Sequence, residues 1–509
     1  MSRTKGFLKS GILLTLVGLG MRTVAIFFAS YISRVVGAEG MGIYTLVMTV
    51  YSLAVTLATS GIGLTVTQLV ASAVGDCRYG DIGKTVLASV TYSLIFGLAS
   101  SLILFCTSNI IALRILSDSR AAAALRVLSF SLIPTALSAT LSGYFVGVKR
   151  VGYNAAATVI SQAIRLGLTV SLLSFSPLLQ VGSSVVRICV AITLTEWLGC
   201  LLIILEYFFD RRCAAKGGRT SEVSLSRVAK SSLPLAFSAY VRALLLNAEH
   251  ILIPKKLRES GESSERAYAH YGTLHGMALP LLIYPMSPLS SFSGLLVPEF
   301  AEDLSAGRRE RMSRVASKAL NATLSYSLIC SVFLFCFSSE LGYTVYTSFD
   351  AGYYLSVLAF AVPIMYLDHV TDSMLKGMGE QVYSMWINIS DSLLSVLLVC
   401  FLIPKMGIMG YALVIILMEG YNFLLSFVRL KRKISFKITP LSSIILPLIS
   451  SFIGVRLADK ILYFNGSTTT LFWLVMKMVF ALSVTVFIML LPFVLQNFTE
   501  KIKMKKQRP

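Results

Sequence analysis

Charged residues are scarce in this sequence. Only 14% of its 509 residues are Asp, Glu, Lys or Arg, 55% are hydrophobic, and the mean hydropathy is +0.76. Soluble proteins carry roughly 25% charged residues, so the composition excludes that class and predicts an integral membrane protein. Histidine is rare, with four residues, and the eight cysteines show neither metal-binding spacing nor a disulfide framework. We therefore expect no metal site, no catalytic centre and no cofactor.

Long polar segments are missing as well. A helix needs about 20 apolar residues to cross a bilayer core, and no stretch between the apolar segments is long enough to fold as a soluble catalytic domain. The predicted fold is therefore an all-α integral membrane protein with 14 transmembrane helices. They are expected at 11–32, 43–70, 84–107, 122–147, 152–174, 185–209, 231–253, 272–298, 318–338, 351–377, 382–403, 407–429, 440–462 and 469–495.

Basic residues outnumber acidic ones, 45 to 25, and the formal net charge is +20. The cations are scattered at the ends of apolar segments, which argues against nucleic-acid binding and is typical of membrane orientation. With the N-terminus placed inside, the inner segments hold 29 Lys and Arg and the outer ones hold 10. We therefore predict a multi-pass protein of the bacterial plasma membrane with both termini in the cytoplasm, and we expect it to be a monomer surrounded by membrane lipid.

The first 12 segments form two halves that echo each other. Without gaps, Gly147 of the first half aligns with Gly377 of the second, and in the last segment of each half Glu196 aligns with Glu419. Six helices is an even number, so both halves enter the membrane from the same side, as in the parallel repeats of secondary transporters. The predicted divisions are a six-helix N-lobe, a cytoplasmic linker, a C-lobe, two additional helices and a basic tail: 1–210, 211–230, 231–437, 438–495 and 496–509.

Three stretches resemble a known family. They are the segment 33–71, which contains SRVVGAEGMGIYTLVMTVYS, "GYFVGVKRVGYNA" at 143–155, and "VPEFAEDLSAGRRERMSRV" at 297–315. The chain resembles the polysaccharide and lipid-linked oligosaccharide flippases of the multidrug/oligosaccharidyl-lipid/polysaccharide exporter superfamily. Within them it is most similar to the stage V sporulation protein B group and to lipid II flippase-like proteins.

The resemblance implies two lobes around a central cavity that opens alternately to the two sides of the membrane. It also implies that arginines in the cavity meet the pyrophosphate of a lipid-linked substrate. The two additional helices at 438–495 are implied to form a groove for the polyprenyl tail.

Five ionisable residues are expected near the middle of the membrane, counting about 1.5 Å per helical residue. They are Arg22, Arg165, Arg242, Glu196 and Glu419. Buried charges of this kind avoid lipid. One interpretation is structural, with Arg22 paired to Glu196 and Arg242 to Glu419. The other is that the arginines bind phosphate, for which the planar guanidinium is suited.

Arg34, at the outer end of the first segment, either reaches the lipid head groups or forms a further phosphate contact. Three carboxylates, Asp368, Asp372 and Asp391, either line a water-filled vestibule or take part in coupling to Na⁺ or H⁺.

Three prolines share one predicted span, 272–298, and must kink or break it. They are Pro280, Pro285 and Pro288. The resemblance implies that this span borders a lateral gate, where the bend would serve as a moving part.

The leading hypothesis is a flippase for a polyprenyl-pyrophosphate-linked saccharide or peptidoglycan precursor, lipid II-like, working by alternating access without covalent chemistry. The alternative is a cation-coupled multidrug exporter of the same superfamily. A membrane glycosyltransferase or polymerase is the third reading, and it would need the carboxylates of the loop 254–271 for acid–base work.

Overall fold

The computed structural model describes residues 2–59, 61–75, 79–148, 150–174, 181–214, 225–462 and 470–506. Within these ranges the chain is helical, with no β-strand. It divides into two compact units: residues 35–272, called the continuous unit, and residues 1–34 with 273–509, called the split unit. The all-α prediction is confirmed.

The continuous unit begins within the first helix, α1 (Ser2–Thr59), and runs through eight more. They are α2 (Ile62–Gly75), α3 (Tyr79–Ile110), α4 (Arg120–Ser129), α5 (Leu132–Gly147), α6 (Val151–Ser174), α7 (Val181–Ala214), α8 (Leu225–Glu259) and α9 (Ser264–Tyr271). A π-helical segment, Ile111–Leu116, extends α3. The core of this unit is apolar and contains Ile62, Val66, Val86, Leu141 and Phe145.

The split unit contains the start of α1 and ten further helices. They are α10 (Leu279–Ile283), α11 (Ser287–Ser305), α12 (Arg309–Cys336), α13 (Ser338–Tyr346), α14 (Phe349–Leu358), α15 (Val362–Gly377), α16 (Gln381–Met406), α17 (Ile408–Lys433), α18 (Leu446–Ile461) and α19 (Leu471–Lys506). Residues Gly272–Ala278 form a π-helical segment before α10. The two last helices pack on α12 through a cluster that includes Phe333, Phe337, Val455 and Leu474.

Eleven candidate spans in the described ranges are long and apolar enough to cross a membrane, or 12 if α4 and α5, bent by 43°, form one span. The predicted number of 14 therefore remains a prediction. The first candidate, Arg22–Val74, covers part of the predicted span 11–32 and all of the predicted span 43–70. The predicted span 231–253 lies on α8, which is not among the candidates. Large side chains such as Leu87, Phe209 and Phe487 are about two-thirds exposed, as expected where a helix faces lipid.

A glycine explains why the first long helix holds two predicted spans. The backbone of Gly37 has φ 73° and ψ −178°, which is not helical and interrupts α1 between the predicted spans 11–32 and 43–70. Only glycine adopts this conformation without steric cost. The boundary between the two units, after Arg34, lies close to this break.

The same close helix packing occurs in both halves, in the register predicted for the repeat. A Cβ added to Gly147 of α5 would lie 2.9 Å from the Val70 side chain of α2. A Cβ added to Gly377 of α15 would lie 2.8 Å from the Phe300 side chain of α11. The register that aligns Gly147 with Gly377 also aligns Val70 with Phe300, so each half uses its glycine for the same approach.

The continuous unit and the split unit do not have the bounds of the predicted lobes. Residues 1–34 belong to the split unit, and the continuous unit extends beyond residue 210 to residue 272. Of the predicted linker 211–230, residues 215–224 lie outside the described residues, as do residues 507–509 of the predicted tail. The lobe divisions remain a prediction about the repeat.

Candidate functional site

A partly buried ion pair joins two long helices of the continuous unit. Arg165 of α6 donates through Nη2 to Oε1 of Glu196 on α7, at 2.6 Å, and Thr135 of α5 donates to the other carboxylate oxygen at 3.3 Å. The two charged side chains are 23% and 24% exposed. The Nε of Arg165 is buried and has no partner among the described residues. Side chains of three helices therefore hold the pair, and the buried Nε of Arg165 remains without a partner among the described residues.

This pair differs from the partners that the structural interpretation named. Glu196 pairs with Arg165, a residue of its own unit. Arg242 is exposed on α8. The pairs Arg22–Glu196 and Arg242–Glu419 remain predictions. The spacing of charges along a helix predicts their depth, whereas their direction around the helix axis decides which partner is within reach.

Arg22 instead binds a backbone carbonyl of the broken helical segment that follows residue 272. Its Nη1 donates to the carbonyl of Ile283 at 2.8 Å. One residue farther along α1, the hydroxyls of Thr23 and Tyr284 lie 2.9 Å apart. The arginine therefore links α1 to the broken segment, and its side chain remains partly exposed.

The predicted break in the proline-containing span is present, whereas its role at a gate remains a prediction. Between α10 and α11 the helix changes to a 3₁₀ turn, Tyr284–Met286, and π-helical geometry precedes α10. Prolines remove backbone donors, and carbonyls freed in a membrane helix need other partners. Besides Arg22, the hydroxyls of Tyr366 and Tyr326 donate to the carbonyls of Leu282 and Pro285, at 2.9 and 2.6 Å. The break is thus held by side chains from three other helices of the split unit.

Arg34 caps a helix C-terminus. Its Nη2 donates to the carbonyls of Thr344 and Val345, at 2.8 and 3.2 Å, in the last turn of α13. Ser30 donates to the carbonyl of Val345 at 2.5 Å. A cation at this position satisfies unpaired carbonyls and interacts favourably with the helix dipole. The side chain is also exposed, so the cap leaves part of the guanidinium accessible.

Carboxylates lie close together on three helices of the split unit. Glu419 of α17 interacts electrostatically with Asp368 of α15 and Asp391 of α16. A fourth carboxylate, Asp372, forms an ion pair with Lys376 at 2.5 Å, so its charge is balanced within α15. Among the described residues no group of three or more His, Cys, Asp and Glu is arranged to hold a metal ion.

A charged cluster in the predicted last span was missed. Lys477 of α19 forms ion pairs with Glu340 of α13 at 2.7 Å and with Asp459 of α18 at 2.8 Å. Its ammonium also lies 5.4 Å from the centre of the Phe337 ring. A single lysine within the otherwise apolar run 471–491 was the available signal, because intramembrane cations are costly and need partners.

Two family models and two curated proteins match this sequence. The model of the family described as polysaccharide biosynthesis protein matches residues 7–303, and that of the MatE family matches residues 275–402. Stage V sporulation protein B of Bacillus subtilis (strain 168) is 24% identical over 421 residues, 81% of this chain and 80% of that protein. Sporulation protein YkvU of the same organism is 20% identical over 363 residues, covering 67% and 77%.

Solved structures share the fold. The lipid II flippase MurJ in an inward closed conformation aligns with a TM-score of 0.71 at 14% identity, covering 95% of this chain and 99% of that one. An inward-facing multidrug resistance MATE family transporter of the MOP superfamily aligns with a TM-score of 0.64 at 15% identity, covering 82% and 98%.

The chain shares its fold with a lipid II flippase and with a MATE family transporter. Because the family model spans more than half of the sequence, the chain belongs to the polysaccharide biosynthesis protein family.

Proposed function

We propose that the protein moves a polyprenyl-pyrophosphate-linked saccharide or peptidoglycan precursor, lipid II-like, from the inner to the outer leaflet by alternating access. The polar head group crosses through the protein while the lipid tail stays in the bilayer. Similarity to a sporulation protein and to a lipid II flippase supports this substrate class.

The observation that carries the proposal is the set of arginines Arg22, Arg165 and Arg242 within the predicted membrane spans. A guanidinium suits a phosphate site because its planar fork can donate to two phosphate oxygens. Each of them is at least partly exposed. A pyrophosphate would use the guanidinium donors that Glu196 and the Ile283 carbonyl leave free.

In this proposal the structural bonds of the arginines also have a use. The Glu196 carboxylate holds the Arg165 guanidinium in place before substrate arrives, which lowers the entropic cost of binding. The carbonyl of Ile283 does the same for Arg22 and connects that arginine to the broken segment. We propose Arg34 as a later contact on the path, since it lies at a different level of α1.

The test is translocation of a fluorescent polyprenyl-pyrophosphate saccharide in proteoliposomes. We expect Arg22→Gln and Arg165→Gln to reduce the initial rate at least tenfold, since each removes a charge-assisted phosphate contact worth about 1.5–3 kcal/mol. Arg126→Gln is the matched control, because Arg126 lies in the candidate span α4–α5 and binds only the Ser108 hydroxyl in the described structure. Normal rates in both site variants would make the arginines structural and reject their proposed role.

The second candidate function is a cation-coupled multidrug exporter. It is favoured by the MatE match over 275–402 and by the neighbouring carboxylates Asp368, Asp391 and Glu419. The same carboxylates would serve coupling to Na⁺ or H⁺ in a flippase. Transport in vesicles that carry either a Na⁺ gradient or a pH gradient identifies the coupling ion. Export of a cationic dye instead of the lipid-linked saccharide would favour this second function.

A further inference from the structure

A basic cleft lies where α12 begins and α17 ends, within the split unit. It has a volume of about 450 Å³. Its walls are polar apart from Ile434, and the lining residues are Arg309, Glu310, Ser313, Arg314, Lys433, Ile434 and Ser435. We call this set the basic cleft.

The cleft contains cations that the protein itself leaves uncompensated. Lys433 pairs with Glu380 at 2.7 Å. Arg309 and Arg314 are exposed and form no side-chain ion pair or hydrogen bond among the described residues. Glu310 also lines the cleft, so the cations outnumber the lining carboxylate by three to one. The hydroxyls of Ser313 and Ser435, 3.4 Å apart, add further possible donors.

The other half of the repeat has a cavity at the corresponding place, with different chemistry. The register that joins Gly147 to Gly377 aligns Tyr79, where α3 begins, with Arg309, where α12 begins. Likewise Asp210 aligns with Lys433 in the register that joins Glu196 to Glu419. Tyr79 and Asp210 both line a cavity of about 350 Å³ in the continuous unit.

The ion pairs beside the two cavities have opposite polarity. In the continuous unit Arg150, on the loop, pairs with Asp210, and Tyr144 donates to the same carboxylate at 2.6 Å. In the split unit the loop residue is the acid, Glu380, and the helix residue is the base, Lys433. The reversal preserves the contact between loop and helix. Arg150 lines the cavity of the continuous unit as Lys433 lines the basic cleft, but only the basic cleft is also lined by two arginines, Arg309 and Arg314. Because the first half has Tyr79 where the second has Arg309, the fold does not require a cation at that position.

We propose that the basic cleft is a binding site for a phosphate group, separate from the transport path. Arginine forks and a lysine ammonium are the side chains that recognise phosphate oxygens. A volume of about 450 Å³ accommodates a head group or a small phosphate ester. Two sources share this chemistry, an anionic phospholipid of the adjacent leaflet and a soluble phosphate compound. Basic pockets between membrane helices commonly take lipid head groups.

The experiment measures binding to the purified full-length protein in neutral detergent. One arm counts phosphatidylglycerol molecules retained in native mass spectrometry, with phosphatidylcholine as the reference lipid. The other titrates inorganic phosphate and glycerol 3-phosphate and follows the midpoint of thermal unfolding. The cleft variant is Arg309→Gln with Arg314→Gln. The control variant, Lys431→Gln with Arg432→Gln, removes the same charge from the last turn of α17 beside Lys433 but outside the lining.

We expect the cleft variant to weaken binding at least tenfold in one arm, which identifies the source, and the control to change it less than twofold. Equal losses in both variants would show attraction to a general positive surface and overturn the proposal. Unchanged binding in the cleft variant would overturn it too. If that variant does not fold, Ser435→Glu places a carboxylate in the cleft and must produce the same loss. Translocation of the lipid-linked substrate is a separate readout, so either proposal can fail alone.

Discussion

The Arg165–Glu196 pair predicts an asymmetric effect of removing one charge at a time. Two unit charges about 4 Å apart attract by about 4 kcal/mol at the effective dielectric constant of about 20 that suits partly buried pairs. Breaking a fully buried pair costs about 3–5 kcal/mol. Because both side chains are nearly a quarter exposed, we reduce that figure and expect about 2–3 kcal/mol for Glu196→Gln.

Arg165→Gln should cost less, about 1–2 kcal/mol, because the Glu196 carboxylate keeps its hydrogen bond from Thr135, whereas Glu196→Gln leaves a guanidinium whose buried Nε has no partner among the described residues. The double variant should cost less than the sum of the two, with a coupling free energy of about 1–2 kcal/mol. Glutamine is close in shape to glutamate, so the contact with Thr135 is retained and the cycle reports mainly on charge.

The assay is unfolding in mixed micelles of dodecyl maltoside and dodecyl sulfate, followed by circular dichroism for the wild type, both single variants and the double variant. Equal effects of the single variants, with effects that simply add in the double variant, would refute the reasoning, since the pair would then be screened by solvent. The same four proteins in the translocation assay separate stability from transport.

Three further predictions follow from local geometry. Gly42→Ala should destabilise the folded protein by about 2–3 kcal/mol or prevent folding, because the added Cβ would lie 2.0 Å from the carbonyl oxygen of Tyr268. The control, Gly20→Ala, should be tolerated, because nothing lies within 4 Å of a Cβ at that position. Equal detergent-extracted yields and equal melting midpoints for the two variants would contradict this prediction. Hydrogen bonds from neighbouring cations lower the pKa of Glu380 from its usual 4.5, so its contribution to stability is complete above pH 4.5 and is lost as the pH falls through the lowered value. Glu380→Gln should therefore make the free energy of unfolding fall less steeply as the pH is lowered. An acid part of the curve equal to that of the wild type would show that the ion pairs of Glu380 do not stabilise the protein. Lys477→Met should lower the melting midpoint by leaving two carboxylates without their cation, and a midpoint equal to that of the wild type would show that α19 is held by apolar packing alone.

Sequence patterns with one dominant physical cause predicted the architecture. Scarce charge and long apolar runs led to the helical membrane fold, and Pro280, Pro285 and Pro288 led to a broken helix, since proline removes a donor wherever it lies. Gly147 and Gly377 marked the repeat because close helix approach allows no side chain at either position.

Partners were harder to predict than positions. Arg22, Arg165 and Glu196 were placed in the apolar segments from composition and spacing, but a helix residue also has a direction around its axis, and packing sets that direction. Arg34 posed a different difficulty, because the carbonyls that it caps belong to residues about 310 positions away. Backbone carbonyls leave no trace in a side-chain pattern, so contacts of this type, like that of Arg22 with Ile283, emerge only from the structure.

The central claim is that an anionic lipid-linked head group, rather than a cationic drug, crosses through this protein. The most direct measurement uses wild-type proteoliposomes that contain a fluorescent polyprenyl-pyrophosphate saccharide in one leaflet and a cationic dye in the lumen. The account predicts that the saccharide appears in the opposite leaflet faster than in protein-free vesicles while the dye is retained. Export of the dye with the saccharide left in its original leaflet would contradict it.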